Sequence, residues 1–146
     1  MINCRQVIRQ VALMLLLACV LQGVAFAKEL NPKVTVRVDG MGQGSTEVAV
    51  DLLPGEYIRV ELTAASGTGY EWKLLEESKL ATVEKSGPEQ VYPEKNLSGG
   101  PNRVIFTVKA LEASGTENLQ FVLARPWEDI KMAAKKLSIK MTVNRP

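Results

Sequence analysis

Three short stretches of this chain carry more side-chain chemistry than a turn requires. The first is Ser66-Gly67-Thr68-Gly69-Tyr70-Glu71-Trp72, a hydroxyl between two glycines followed by two aromatics. Glycine on both sides permits positive φ and close backbone approach of a partner. Tyr70 and Trp72, two apart, face the same side of any strand that leaves the loop. Thr68 is therefore read as a contact residue, and Trp72 as a core residue of the kind sandwich folds bury on such a strand. The second stretch is Asn96-Leu97-Ser98-Gly99-Gly100-Pro101-Asn102, preceded by Tyr92-Pro93, a long connection able to adjust to a partner. The third, Arg125-Pro126-Trp127-Glu128, follows the apolar run Leu119-Gln120-Phe121-Val122-Leu123-Ala124. Proline stiffens that turn, and a tryptophan just past a strand end has no evident core position, so Trp127 and Arg125 are candidate binding anchors. Burial of Trp127 inside its own domain is the competing reading.

Catalysis finds little to work with. The chain has no histidine, which removes the usual general base near neutral pH and the commonest metal ligand. Its two cysteines, Cys4 and Cys19, precede residue 28, so the body beyond has no thiol, disulfide or Cys-rich metal site. Glu76-Glu77 and Glu128-Asp129 are adjacent pairs, which on a strand point to opposite faces instead of converging on one bond. Ser138-Ile139-Lys140 is one residue short of a Ser-x-x-Lys pair. Gly40-Met41-Gly42-Gln43-Gly44 lacks the Lys-Ser/Thr ending of a phosphate loop and has no helix after it, which leaves a flexible hairpin connection. No metal and no cofactor is expected.

Whatever positions the three stretches must be β-structure, because from residue 33 onward the apolar period is two. Val34, Val36 and Val38 alternate with Thr35 and Arg37, and Val48-Ala49-Val50-Asp51-Leu52 follows. Tyr57-Ile58-Arg59-Val60-Glu61-Leu62 comes after Pro54-Gly55, a turn pair in which proline sets φ and glycine tolerates its positive values. Further strands are expected at residues 70–75, 81–85, 103–111, 118–124 and 136–143, where β-branched and aromatic residues concentrate. Only Glu76-Glu77-Ser78-Lys79 and residues 128–134 could hold a helical turn. About seven to eight short strands separated by Gly, Pro, Asn and Ser turns fit an all-β, immunoglobulin-like β-sandwich, a topology that gathers alternate loops at one end.

The first 27 residues read as a signal peptide. Arg5 and Arg9 precede the apolar run of residues 11–20, and Ala25-Phe26-Ala27 supplies a small-x-small cleavage pattern. Gln22 and Gly23 interrupt the run short of the roughly 20 residues of a membrane span. The expectation is cleavage after Ala27, releasing a domain of residues 28–146 that is secreted or periplasmic. Leu16-Leu17-Ala18-Cys19 also resembles a lipobox, so lipid anchoring at Cys19 is the alternative and the sole route to a membrane. Loss of Arg5 and Arg9 takes the basic count from 18 to 16, equal to the acidic count. A neutral domain has no basic excess for nucleic acid and no long-range field to steer a charged ligand.

Together the three stretches resemble the chagasin family, proteinaceous inhibitors of papain-like cysteine peptidases. That family carries an N-P-T-T-G-Y-x-W loop, a Gly-Gly loop and an R-P-W loop, in that order. Here they stand as Ala65-Ser66-Gly67-Thr68-Gly69-Tyr70-Glu71-Trp72, Ser98-Gly99-Gly100-Pro101 and Arg125-Pro126-Trp127-Glu128. The resemblance implies an immunoglobulin-like sandwich whose three loops form a wedge. In it Gly67, Thr68, Gly69 and Tyr70 enter the peptidase cleft over its catalytic cysteine. Ser98, Gly99, Gly100 and Pro101 grip one side, and Arg125, Pro126, Trp127 and Glu128 the other. It further implies a monomeric, reversible, competitive inhibitor that is not an enzyme. Ala65-Ser66-Gly67 replace the family's Asn-Pro-Thr, so the first loop is expected to be less pre-organised, at a cost on the order of 1 kcal/mol for each residue ordered on binding. A non-inhibitory envelope adhesion module, possibly lipid-anchored, is the alternative function.

Overall fold

Inward valines and leucines pair off two layers. The computed structural model describes residues 31–91 and 100–145. Their strands are β1 (Val34–Val38), β2 (Gly44–Leu52), β3 (Tyr57–Ala65), β4 (Glu71–Leu74), β5 (Ala81–Lys85), β6 (Glu89–Gln90), β7 (Pro101–Ala110), β8 (Gly115–Ala124) and β9 (Lys135–Val143). One sheet runs β1-β3-β7-β5 with β6 also on β7, and the other runs β2-β9-β8-β4. Most neighbours are antiparallel, but β1 lies parallel to β3 and β2 parallel to β9. This is the immunoglobulin-like sandwich, with nine strands among the described residues where seven to eight were expected. The extra one, β6, is a two-residue strand too short to leave a period in the sequence.

Period-two patterning produces the core directly. In β9, Leu137, Ile139, Met141 and Val143 are buried while Lys136, Ser138, Lys140 and Thr142 face outward or sit at intermediate depth. In β3, Ile58, Val60 and Leu62 are fully buried. Each such side chain contributes about 2 kcal/mol relative to exposure. Phe106 of β7 meets Phe121 of β8 edge to face across the layers, their centroids 4.9 Å apart. Trp72 lies in the same core at 1% exposure, as its place in the alternation implied.

Two local expectations fail. Residues 40–44 do not close a hairpin, because β1 and β2 belong to different sheets and their connection crosses between the layers. Glu76-Glu77-Ser78-Lys79 forms no helical turn. Its backbone is instead caught by Glu117, whose carboxylate accepts from the Ser78 hydroxyl at 2.7 Å and from the Lys79 and Leu80 amides at 3.1 and 3.2 Å. Residues 128–134 do contain one 3-10 turn, Ile130–Met132, capped by the Asp129 carboxylate.

The register brings several strand ends together at one end. Val38 ends β1 opposite Leu62, Ala65 ends β3 opposite Pro101, Glu71 opens β4 opposite Ala124, and Lys135 opens β9 opposite both Leu123 and Gly44. Residues 39–43, 66–70 and 125–134 are therefore neighbours, with Gly100 beside them, although far apart in sequence. Pro101, expected in the second loop, is the first residue of β7. Ser98 and Gly99 lie outside the described residues, as do Tyr92, Pro93, Asn96, Leu97 and the leader with Cys4 and Cys19.

Candidate functional site

The first loop, residues 66–70, crosses from one layer to the other over Trp72. Its entry is fixed from below, since the Trp72 indole N–H donates to the Thr63 carbonyl at 2.7 Å. Gly67 and Gly69 turn the chain at φ of 76° and 78°, values that side-chain-bearing residues seldom adopt. Between them the Thr68 hydroxyl donates to the Ala65 carbonyl at 2.7 Å and lies 3.5 Å from the Tyr70 amide. That local bond closes the turn on itself.

The third loop completes the tie. Arg125 donates from Nε to the Thr68 carbonyl at 3.0 Å, and its guanidinium carbon lies 4.5 Å from the Tyr70 ring centroid. A guanidinium over a tyrosine face gains about 0.5–1 kcal/mol at an exposed site. Another of its nitrogens donates to Glu128 Oε1 at 3.1 Å, while the Glu128 amide donates back to the Arg125 carbonyl at the same distance. Arg125 is thus held by its own turn while it holds the first loop. Trp127, in that turn, is 72% exposed, yet a Cβ built on Gly69 would stand 2.7 Å from its ring. The indole rests edgewise on a backbone position that only glycine can leave clear.

The second loop is joined through its described end. The Ser66 amide donates to the Gly100 carbonyl at 3.4 Å, next to the paired Ala65 and Pro101. The structure therefore brings Gly67, Thr68, Gly69 and Tyr70 together with Arg125, Pro126, Trp127 and Glu128, and sets Gly100 and Pro101 on the other flank. Beneath the first loop is a hollow of about 280 Å³ lined by Gly67, Tyr70, Trp72, Lys85 and Asn102 among others. Lys85 reaches across this open side of the sandwich and donates to the Trp72 carbonyl at 3.2 Å.

Chemically the site offers shape and hydrogen-bonding groups. Among the described residues no three of His, Cys, Asp and Glu converge as a metal site would require. The carboxyls held below their ordinary range lie elsewhere. At Glu61 burial pulls the other way but is overruled by hydrogen bonds from Arg37 and Arg59. Sequence reading missed two contributors to the end surface. The Ala65 carbonyl gives no sequence signal, but Asp39-Gly40-Met41-Gly42 does, since Asp before Gly marks an Asx turn. The Asp39 carboxylate indeed accepts from the Met41 amide at 3.0 Å.

The model of a family described as chagasin family peptidase inhibitor I42 matches residues 51–143. No curated protein sequence matches the chain significantly. Among solved structures, PbICP-C, determined in complex with falcipain-2, is 20% identical, with 75% of this chain and 98% of that one covered at a TM-score of 0.56. EhICP2, a cysteine protease inhibitor from Entamoeba histolytica, is 16% identical over 78% of this chain and 100% of that one, at 0.59. ICP of Leishmania mexicana is 19% identical over 70% and 91%, at 0.51. These structures share the fold.

Proposed function

Because the chain belongs to the chagasin family of peptidase inhibitors, which are not enzymes, we propose that it blocks papain-like cysteine peptidases by seating its loop end in their active-site cleft. The observation that carries this reading is the fastening of the first loop to the third, Arg125 on the Thr68 carbonyl and Trp127 against Gly69. A loop already ordered before contact saves on the order of 1 kcal/mol for each residue that would otherwise be immobilised on binding. Thr68 and the glycines beside it present backbone to the cleft, and Trp127 supplies exposed aromatic area of the kind that anchors interfaces, typically about 2 kcal/mol or more. The block is reversible occlusion, since what the loop end offers the cleft is backbone, hydroxyl and aromatic surface. Relatives of the same fold, one solved with falcipain-2 and one named a cysteine protease inhibitor, support this choice of target.

Titration against papain tests it. The expected result is stoichiometric, reversible, competitive loss of activity, and full activity at micromolar concentrations of the folded protein overturns the proposal. Trp127→Ala is expected to weaken inhibition about tenfold or more, 1.4 kcal/mol being a factor of ten. Its melting temperature should stay within a degree or two of the parent, as suits an exposed side chain. We infer also that the domain acts outside the cytoplasm, after removal of the leader at Ala27.

A further inference from the structure

Trp127 is not alone as a large apolar side chain held out at the loop end. Met41, in the connection between β1 and β2, is 69% exposed. Exposure by itself means little for a methionine, but this one is mounted on a rigid frame. The Asp39 carboxylate accepts from the Thr63 hydroxyl at 3.1 Å as well as from the Met41 amide. The Gly40 amide donates to Thr63 Oγ1 at 3.2 Å, and a Cβ at Gly40 would stand 2.0 Å from the Thr63 carbonyl oxygen. The Lys135 ammonium donates to the carbonyls of Asp39 and Met41. Glycine at 40 lets the connection press against β3, and the lysine clamps it to β9. Thr63, which receives it, is three residues before Ser66 and also takes the Trp72 indole bond.

Met41 forms one wall of a groove of about 590 Å³ on the outer side of the five-stranded sheet. Val91 and Pro101 stand with it, and Pro101 pairs with Ala65 at the root of the first loop. The groove is thus continuous with the loop cluster. Its charges are already occupied with one another, since Glu61 receives Arg37 at 2.9 Å and Arg59 at 2.8 Å. One guanidinium is held at longer range. Arg103 reaches Glu61 only at 3.9 Å and Glu89 at 3.6 Å, beyond hydrogen-bond length, and its side chain is 34% exposed. A partly exposed guanidinium with such distant partners can turn a terminal N–H toward an acceptor supplied from outside.

We propose that this groove is a fourth contact for the inhibited peptidase. It takes an extended segment beside the peptidase's cleft, packs an apolar side chain of that segment against Met41, Val91 and Pro101, and gives a terminal guanidinium N–H of Arg103 to one of its backbone carbonyls. The proposal rests on the inhibitor reading above and extends its interface past the three loops.

The test is the inhibition constant of the whole domain against papain for wild type, Met41→Asp, Met41→Leu and Arg103→Lys. Met41→Asp places a carboxylate against the apolar wall and is expected to weaken inhibition about tenfold or more. Met41→Leu keeps the volume and should keep the affinity, and Arg103→Lys, which retains the charge and loses the planar guanidinium fork, should weaken inhibition about threefold or more. Thermal melting of each variant separates loss of contact from loss of fold, and Met41→Asp, being at an exposed position, is expected to melt with the parent. A wild type that inhibits while Met41→Asp and Arg103→Lys match it overturns the groove and leaves the inhibitor reading standing. A wild type that leaves papain active overturns both.

Discussion

Gly69 answers two demands at once, a φ of 78° and clearance for an indole 2.7 Å from where its Cβ would be. Gly67, at φ 76°, answers only the first, since nothing lies within 4 Å of its would-be Cβ. Alanine at either position costs about 1–2 kcal/mol for the left-handed backbone. Gly69→Ala must in addition push Trp127 off its seat, so it should weaken papain inhibition at least about fivefold more than Gly67→Ala. Equal inhibition constants for the two variants would remove Trp127 from the binding surface. At this scale the sequence told Trp72 from Trp127, because one continues an inward alternation and the other follows a strand end. It pointed to Thr68 but not to the manner of its use. The hydroxyl is spent on the Ala65 carbonyl, and the Thr68 carbonyl on an arginine 57 positions away, a pairing no local pattern encodes.

Among the elements, the corner between β4 and β5 depends on one carboxylate of β8. Burial raises the Glu117 pKa, but the Ser78 hydroxyl and the Lys79 and Leu80 amides lower it further, so the group titrates below the usual carboxylate range. A folded-state pKa below the unfolded value of about 4.3 contributes stability that is complete above that value and is lost as pH falls through the folded pKa. Glu117→Gln should therefore lower stability at pH 7 by about 1–2 kcal/mol, at the low end for a charged hydrogen-bonded group because the site is partly solvent-screened. Urea melts read at neutral and strongly acid pH should show that deficit closing in acid, and a deficit of the same size at both would refute the assignment. The strands were legible because one buried face enforces period two. The corner was not, since its acidic run suggested a helical turn while its partner sits 39 positions further on.

For the whole molecule, alternation and turn spacing were enough to expect a sandwich, but not its strand order. The parallel pairs β1 with β3 and β2 with β9 follow from a connection that crosses between layers, and a Gly-rich pentapeptide between two valine runs reads equally as a hairpin. That crossing gives the loop end its fourth member. If Arg5 and Arg9 leave with the proposed leader, the molecule is formally neutral, which would suit the proposed inhibitor in holding its target by fit more than by field. Mass spectrometry of protein recovered from outside the cytoplasm should find Lys28 as the first residue, and an acylated Cys19 would replace secretion by anchoring.

The double fastening of the first loop bears on what happens if the target turns its own chemistry on it. A cut between Thr68 and Gly69 would leave the upstream stump pinned by Ala65 and Arg125, and the downstream one caught beneath Trp127 with Tyr70 under the same guanidinium. Each fresh terminus would still be tethered to the body of the domain, so a nick alone would not free the loop.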